Sequence, residues 1–200
     1  MNHFPYAVPD PDPAPGPEPA PAEPGHWPKL EAALAVVNRD LTATLPGHGP
    51  LILVTIPDGT RAEHAEHAEH VYVAMPDGSW QGNPVNEDDV AEGDPREPYD
   101  DTTALYAVAD AAQETVMELL WQVWPICGEH RIGTHVRPPG TDADGSPDGG
   151  DPAGPPVWWC RGASDGDGHD VARVGELVTA LPGKQRRALR RAERRGQGRR

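Results

Sequence analysis

The stretch WQVWPICGEHRIGTH, residues 121–135, is followed after a Pro/Gly-rich break by VWWCRGASDGDGHDVARV, residues 157–174. Together they hold both cysteines and three of the nine histidines of a 200-residue chain. Two tryptophans, Trp121 and Trp124, precede Cys127, and two more, Trp158 and Trp159, directly precede Cys160, so apolar bulk brackets both thiols. Cys127, Gly128, Glu129 and His130 make a CxxH turn. Such a turn is a compact way to bring two of the four nitrogen or thiolate ligands of tetrahedral zinc to one point. Gly128 is expected to let the backbone curl there. Cys160 and His169, with eight residues between them, are the preferred second pair.

Outward from these residues, 131–137 is expected to form a strand, 157–160 its partner, and His169 to open a closing helix. There Val171, Val174, Leu177, Val178 and Leu181 fall on one face. This order of knuckle, hairpin and helix resembles a treble-clef zinc module spanning residues 121–181. The sequence departs from that pattern twice: treble clefs keep their second ligand pair close together, and here the hairpin is interrupted by an insert, residues 138–156, expected to be disordered.

His135 is a fifth candidate for four positions, as a substitute for His130 or His169. Two metal-free readings stand beside the zinc one: buried reduced thiols packed on tryptophan, or a Cys127–Cys160 disulfide. A catalytic metal needs an open position and a general base, and Glu129 is the only acid close in sequence. HExxH, the deaminase HxE with PCxxC, GxSxG, GxxxxGK[ST] and GxGxxG are all absent. Asp165, Asp167 and Asp170 read as loop and capping residues, or as acceptors that orient the imidazole of His169. The zinc is therefore expected to be structural.

The rest of the chain supplies a small scaffold. Leu30, Ala33, Leu34, Val37, Leu41 and Leu45 repeat at helical spacing over 29–45, after Pro28 and before Pro46-Gly47. Residues 51–56, LILVTI, and 71–75 read as strands, each closed by a Pro-Asp-Gly turn, with a weaker strand over 80–85. Residues 102–123 read as the strongest helix. Leu105, Val108, Ala112, Val116, Leu119 and Val123 form its stripe, Asp100 to Thr103 offer caps, and Pro125 is expected to halt it. Between the first two strands AEHAEHAEH, residues 62–70, repeats a tripeptide whose histidines drift around a helix as a set, although His64 and His67 share a face at i, i+3 and such a tract can bind metal adventitiously. It reads as an expanded exposed loop. Residues 86–101 form an acidic loop without the spacing of a calcium site.

Prolines number 25 and glycines 22, which leaves roughly 120 residues able to build a core, a size that a bound metal would help. Proline alternating with Ala, Asp and Glu makes residues 1–27 an expected disordered arm. The formal charge is -15, yet the chain from Lys184 onward carries nine basic residues and one acid, Glu193. Within this tail, residues 182–200, Arg186/Arg187, Arg190/Arg191 and Arg194/Arg195 recur every four residues. On a helix they make a cationic face suited to phosphate, to an acidic protein surface or the chain's own acidic loop, or to solvent alone. No apolar run approaches about 18 residues and the start lacks a secretory pattern, so a cytoplasmic protein with no membrane span is expected. The Ala/Pro/Gly/Asp/Arg-heavy usage points to a high-GC, bacterial source.

The expectation is one α+β domain over 28–181, with a small antiparallel sheet, two or three helices and a Cys/His zinc module. The expected function is a non-enzymatic interaction or regulatory protein with an unidentified protein partner. The alternatives are a nucleic-acid-associated protein that uses its arginine tail, and a zinc-dependent hydrolase.

Overall fold

A computed structural model of the chain describes residues 18–57, 69–86, 97–138, 140–142, 146–147, 154–164 and 167–197, without side chains at 192–193 and 195–197. Residues 1–17 of the arm, His64 and His67 with most of the tripeptide repeat, residues 87–96 of the acidic loop, Asp165 and parts of the 138–156 insert lie outside them. Among the described residues the fold is α+β: four helices and two three-stranded antiparallel sheets, not one sheet. Among the described residues no helix is long and apolar enough to cross a membrane.

Helix α1, Pro28–Thr44, begins with proline at its first turn, where the missing N–H is no loss. Its free N-terminal donors, Lys29 N–H and Leu30 N–H, are accepted by the Glu97 carboxylate at 2.9 and 3.1 Å. Leu30, Ala33, Leu34, Val37 and Leu41 are buried as the spacing predicts, and Leu45 is partly buried. Strand β1, Ala20–Pro21, pairs with β2, Ile52–Pro57, which pairs in turn with β3, Glu69–Ala74. The proline-rich segment therefore supplies an edge strand, a position that tolerates a missing N–H. The expected strand over 80–85 is reduced to a single bridge, Ala74↔Trp80, and a Val85 N–H bond to the Val71 carbonyl. Gly82, at φ +94, bends the chain away between them.

Helix α2, Asp101–Leu120, is capped by Asp100, whose carboxylate accepts Thr103 N–H at 2.8 Å and Thr103 Oγ1–H at 3.0 Å. It ends five residues before Pro125, because Trp121 takes the left-handed conformation at φ 51. Its buried face is also rotated from the expected stripe. Ala104, Val108, Ala109, Ala111, Ala112 and Val116 are inside, while Leu105 and Leu119 are only partly buried and Val123 is exposed. The small alanines let α2 lie close to α1 and reach both sheets. Two buried polar groups fix it there. Thr115 Oγ1–H donates to the carbonyls of Val73 and Gln81, both at 3.0 Å, and Gln113 Nε2 donates to those of Trp124 (2.9 Å) and Thr134 (2.6 Å).

The second sheet is ordered β4, His135–Arg137, β5, Val157–Cys160, and β6, His169–Arg173. The expected first strand thus shrinks to its last three residues, and His169 opens a strand instead of a helix. The apolar spacing after His169 imitates a helical face, but Gly175, at φ +91, breaks it. An added Cβ there would run into the Val36 side chain on α1. Only a short helix α3, Leu177–Ala180, follows, and Pro182 leads into α4, Gly183–Gln197, which carries the arginine pairs.

Candidate metal centre

Each thiol is placed by a tryptophan that precedes it. Trp124 donates its indole N–H to Thr44 Oγ1 at 2.8 Å, and Trp158 donates its own to Asp40 Oδ2 at 2.7 Å. Both indoles are buried, and they meet edge to face with centroids 5.4 Å apart, an arrangement that ring quadrupoles favour. Two segments distant in sequence are thereby held side by side on the last two turns of α1. Cys127 and Cys160, three and two residues further along, arrive together. The other tryptophan of each pair, Trp121 or Trp159, is left wholly or partly exposed.

The first candidate pair, Cys127 and His130, comes from a tight turn. Arg131 N–H donates to the Cys127 carbonyl and Cys127 N–H to the Ile132 carbonyl, while His130 N–H points at Cys127 Sγ from 3.4 Å. The left-handed residue of this knuckle is Arg131, at φ 59; Gly128, expected to play that part, is not among the glycines of positive φ. The second pair is a cross-strand pair. Cys160 on β5 and His169 on β6 are register partners, which explains how eight intervening residues still leave the two side chains adjacent. Within that loop Gly162 N–H donates to Cys160 Sγ at 3.4 Å. Gly162 sits at φ +80 with the Asp167 main chain packed where a Cβ would go.

The ligand atoms of Cys127, His130, Cys160 and His169 all lie within 4.8 Å of one another, and both cysteines are buried free thiols. His130 Nδ1 is 3.9 Å from Cys127 Sγ and 3.5 Å from Cys160 Sγ, and His169 Nε2 is 3.6 Å from Cys127 Sγ. His169 Nδ1 is 3.2 Å from the Asp167 carbonyl. Because a carbonyl only accepts, Nδ1 carries the proton of the neutral ring and Nε2 turns its lone pair toward the cluster. The two imidazole rings lie 5.1 Å apart, and Glu129 stands 3.9 Å from His169 Nε2 at the exposed side.

The electrostatics separate the two thiols. Burial alone would raise Cys127, but the N–H groups of His130 and Glu129, with Cys160 and His130 side chains beside it, bring its pKa down from 9.0 to about 7. Cys160 is pushed up, first by burial and then by the neighbouring Cys127, against the pull of Gly162 N–H. The Asp167 carbonyl, followed by Cys127, raises His169. One sulfur thus approaches its ligating, thiolate form at neutral pH. Two thiols and two imidazoles converging in this way could hold a metal ion.

His135 lies exposed at the start of β4, paired in register with Trp159, and is not among the four. Asp170 turns away to pair with Arg137 at 2.7 Å, and Asp167 orients His169 through its main chain and not its carboxylate. Arg186, Arg187, Arg190, Arg191 and Arg194 are exposed on α4. Sequence reasoning missed Asp40 and Gly162. The spacing of Gly162, two residues past a cysteine, is the signal that marks it, whereas nothing local distinguishes Asp40. No protein-family model matches the chain, and neither a curated protein nor a solved structure does.

Proposed function

We propose that this is a non-enzymatic interaction or regulatory protein whose Cys/His centre binds one structural zinc ion, and that the ion fixes a protein-binding surface beside it. The observation that carries the reading is the spacing of the four ligand atoms. A tetrahedral zinc with bonds of about 2.3 Å to sulfur and about 2.05 Å to nitrogen separates sulfur from nitrogen by about 3.5 Å. Three of the four sulfur–nitrogen distances, 3.5, 3.6 and 3.9 Å, lie at or slightly above that value. Two soft thiolates with two imidazoles suit zinc better than the hard, oxygen-seeking magnesium or calcium.

Four protein ligands complete a tetrahedron and leave no position for a reacting water, which favours a structural over a hydrolytic role. The ion would clamp the turn after α2 onto the β5–β6 hairpin. That turn presents Trp121, 90% exposed, with Val123 and Ile126, 49% and 53% exposed, and it follows Met117, 36% exposed, on the last turn of α2. Large apolar side chains grouped in sequence at the surface mark contact sites, and tryptophan is foremost among residues that dominate interfaces.

The test is proximity cross-linking in the native host with wild type and a Trp121→Ser/Ile126→Ser variant, each checked for metal content. A partner set captured by wild type and lost in the metal-loaded variant supports the reading. An identical set from both contradicts the proposed surface.

A further inference from the structure

We propose that α4 is a DNA-binding element, lying in a groove of the double helix and gripping its phosphates without reading sequence. The helix is an unused cationic surface. Among the described residues α4 packs substantially against no other element, and Arg186, Arg187, Arg190, Arg191 and Arg194 form no ion pair. All five are exposed, and Leu189, on the opposite side, is only half-buried.

Their placement selects the partner. With about 100° and 1.5 Å per residue, Arg186, Arg190 and Arg194 form one row, spaced about 6 Å apart. Arg187 and Arg191 form a second row about 100° around the helix, continued in sequence by Arg195. Two parallel rows flanking one face fit a helix between two phosphate strands. The major groove of B-form DNA, about 12 Å wide, admits such a helix, whereas that of an RNA duplex is too deep and narrow to be read by side chains. Arginine also binds phosphate through two parallel N–H donors, which lysine cannot do. Set in two rows that face the phosphate strands, with no Asn or Gln between them, the arginines are assigned to phosphates and the contact is electrostatic and positional. The acidic remainder of the chain confines it to this helix, since it repels phosphate elsewhere.

The experiment uses the full chain and fluorescently labelled duplexes of unrelated sequence, with single-stranded DNA, duplex RNA and polyglutamate as alternative ligands. Five phosphate contacts give a log–log salt slope of about -4.5, so affinity for duplex DNA should fall roughly 500-fold between about 50 and about 200 mM salt, equally for every sequence. The Arg186→Glu/Arg190→Glu/Arg194→Glu variant should lose this binding. The corresponding Arg→Lys variant should keep the salt dependence with weaker affinity. Unchanged thermal unfolding and metal content in both variants separates loss of contact from loss of fold. No binding at low salt, undiminished binding by the triple Glu variant, or equal affinity for duplex RNA or polyglutamate would overturn the proposal.

Discussion

Asp40 on α1 accepts the indole N–H of Trp158 at 2.7 Å, and the same carboxylate accepts Gly175 N–H at 2.6 Å and Leu177 N–H at 2.8 Å. One buried acid therefore ties the first helix to β5, to the turn after β6 and to the start of α3. The Trp158 and Leu177 donors are buried and the Gly175 donor is partly buried.

Replacing Asp40 by alanine leaves those donors unsatisfied and should cost about 3 kcal/mol or more, on the scale of about 1 kcal/mol or more for each buried N–H left without a partner. Asp40→Asn retains one acceptor oxygen and should cost less. Urea unfolding monitored by tryptophan fluorescence measures both, and a loss below about 1 kcal/mol for the alanine variant would contradict the tie.

The tryptophans should divide sharply. Trp124→Ala and Trp158→Ala each remove a buried indole and should destabilise by about 3–5 kcal/mol. Trp121→Ser, at an exposed site, should change stability by no more than about 0.5 kcal/mol. Equal effects at Trp121 and Trp124 would mean that the chain does not turn outward at the end of α2.

Ligand substitutions discriminate among the histidines. Cys127→Ser, His130→Ala, Cys160→Ser and His169→Ala should each abolish stoichiometric metal binding, whereas His135→Ala should leave it intact. Metal loss on changing His135, with retention on changing His130, would reassign the fourth ligand.

The thiols should titrate apart in metal-free protein. Cys127, held to about 7 against 9.0 for an ordinary thiol, stabilises the fold as a thiolate. With the folded value below the unfolded one, that contribution is complete above about pH 9 and is lost as pH falls through about 7. Ultraviolet thiolate absorbance should rise first near pH 7 and again above pH 9, the second step belonging to Cys160, whose pKa is raised. A Cys127→Ser variant should lack the first step, and a single step near pH 9 in wild type would be inconsistent with the knuckle's N–H donors.

Much of the scaffold was legible because its signals are local. The spacing of Leu30, Leu34, Val37 and Leu41, and the β-branched run from Ile52, each identify their element alone. The four clustered side chains were also visible, because CxxH supplies two of them and only one other cysteine exists. What sequence concealed depends on partners. Trp121 ends α2 by adopting a left-handed conformation unusual for its type, and nothing nearby marks it. His169 joins a strand because Cys160 pairs across from it, while the valines beyond follow a helical spacing that Gly175 interrupts. Ala20–Pro21 becomes a strand only because β2 offers a free edge. Asp40 looks like a solvent-facing residue of an amphipathic helix until Trp158 and two amides close over it.

The most direct measurement is elemental analysis of protein purified without a metal-affinity tag, followed by thermal unfolding before and after chelation. About one zinc per chain is expected, as for a closed structural site, with a marked fall in the unfolding midpoint when the zinc is removed. A metal-free protein that unfolds at the same temperature with and without added zinc would contradict a structural zinc site at these four residues.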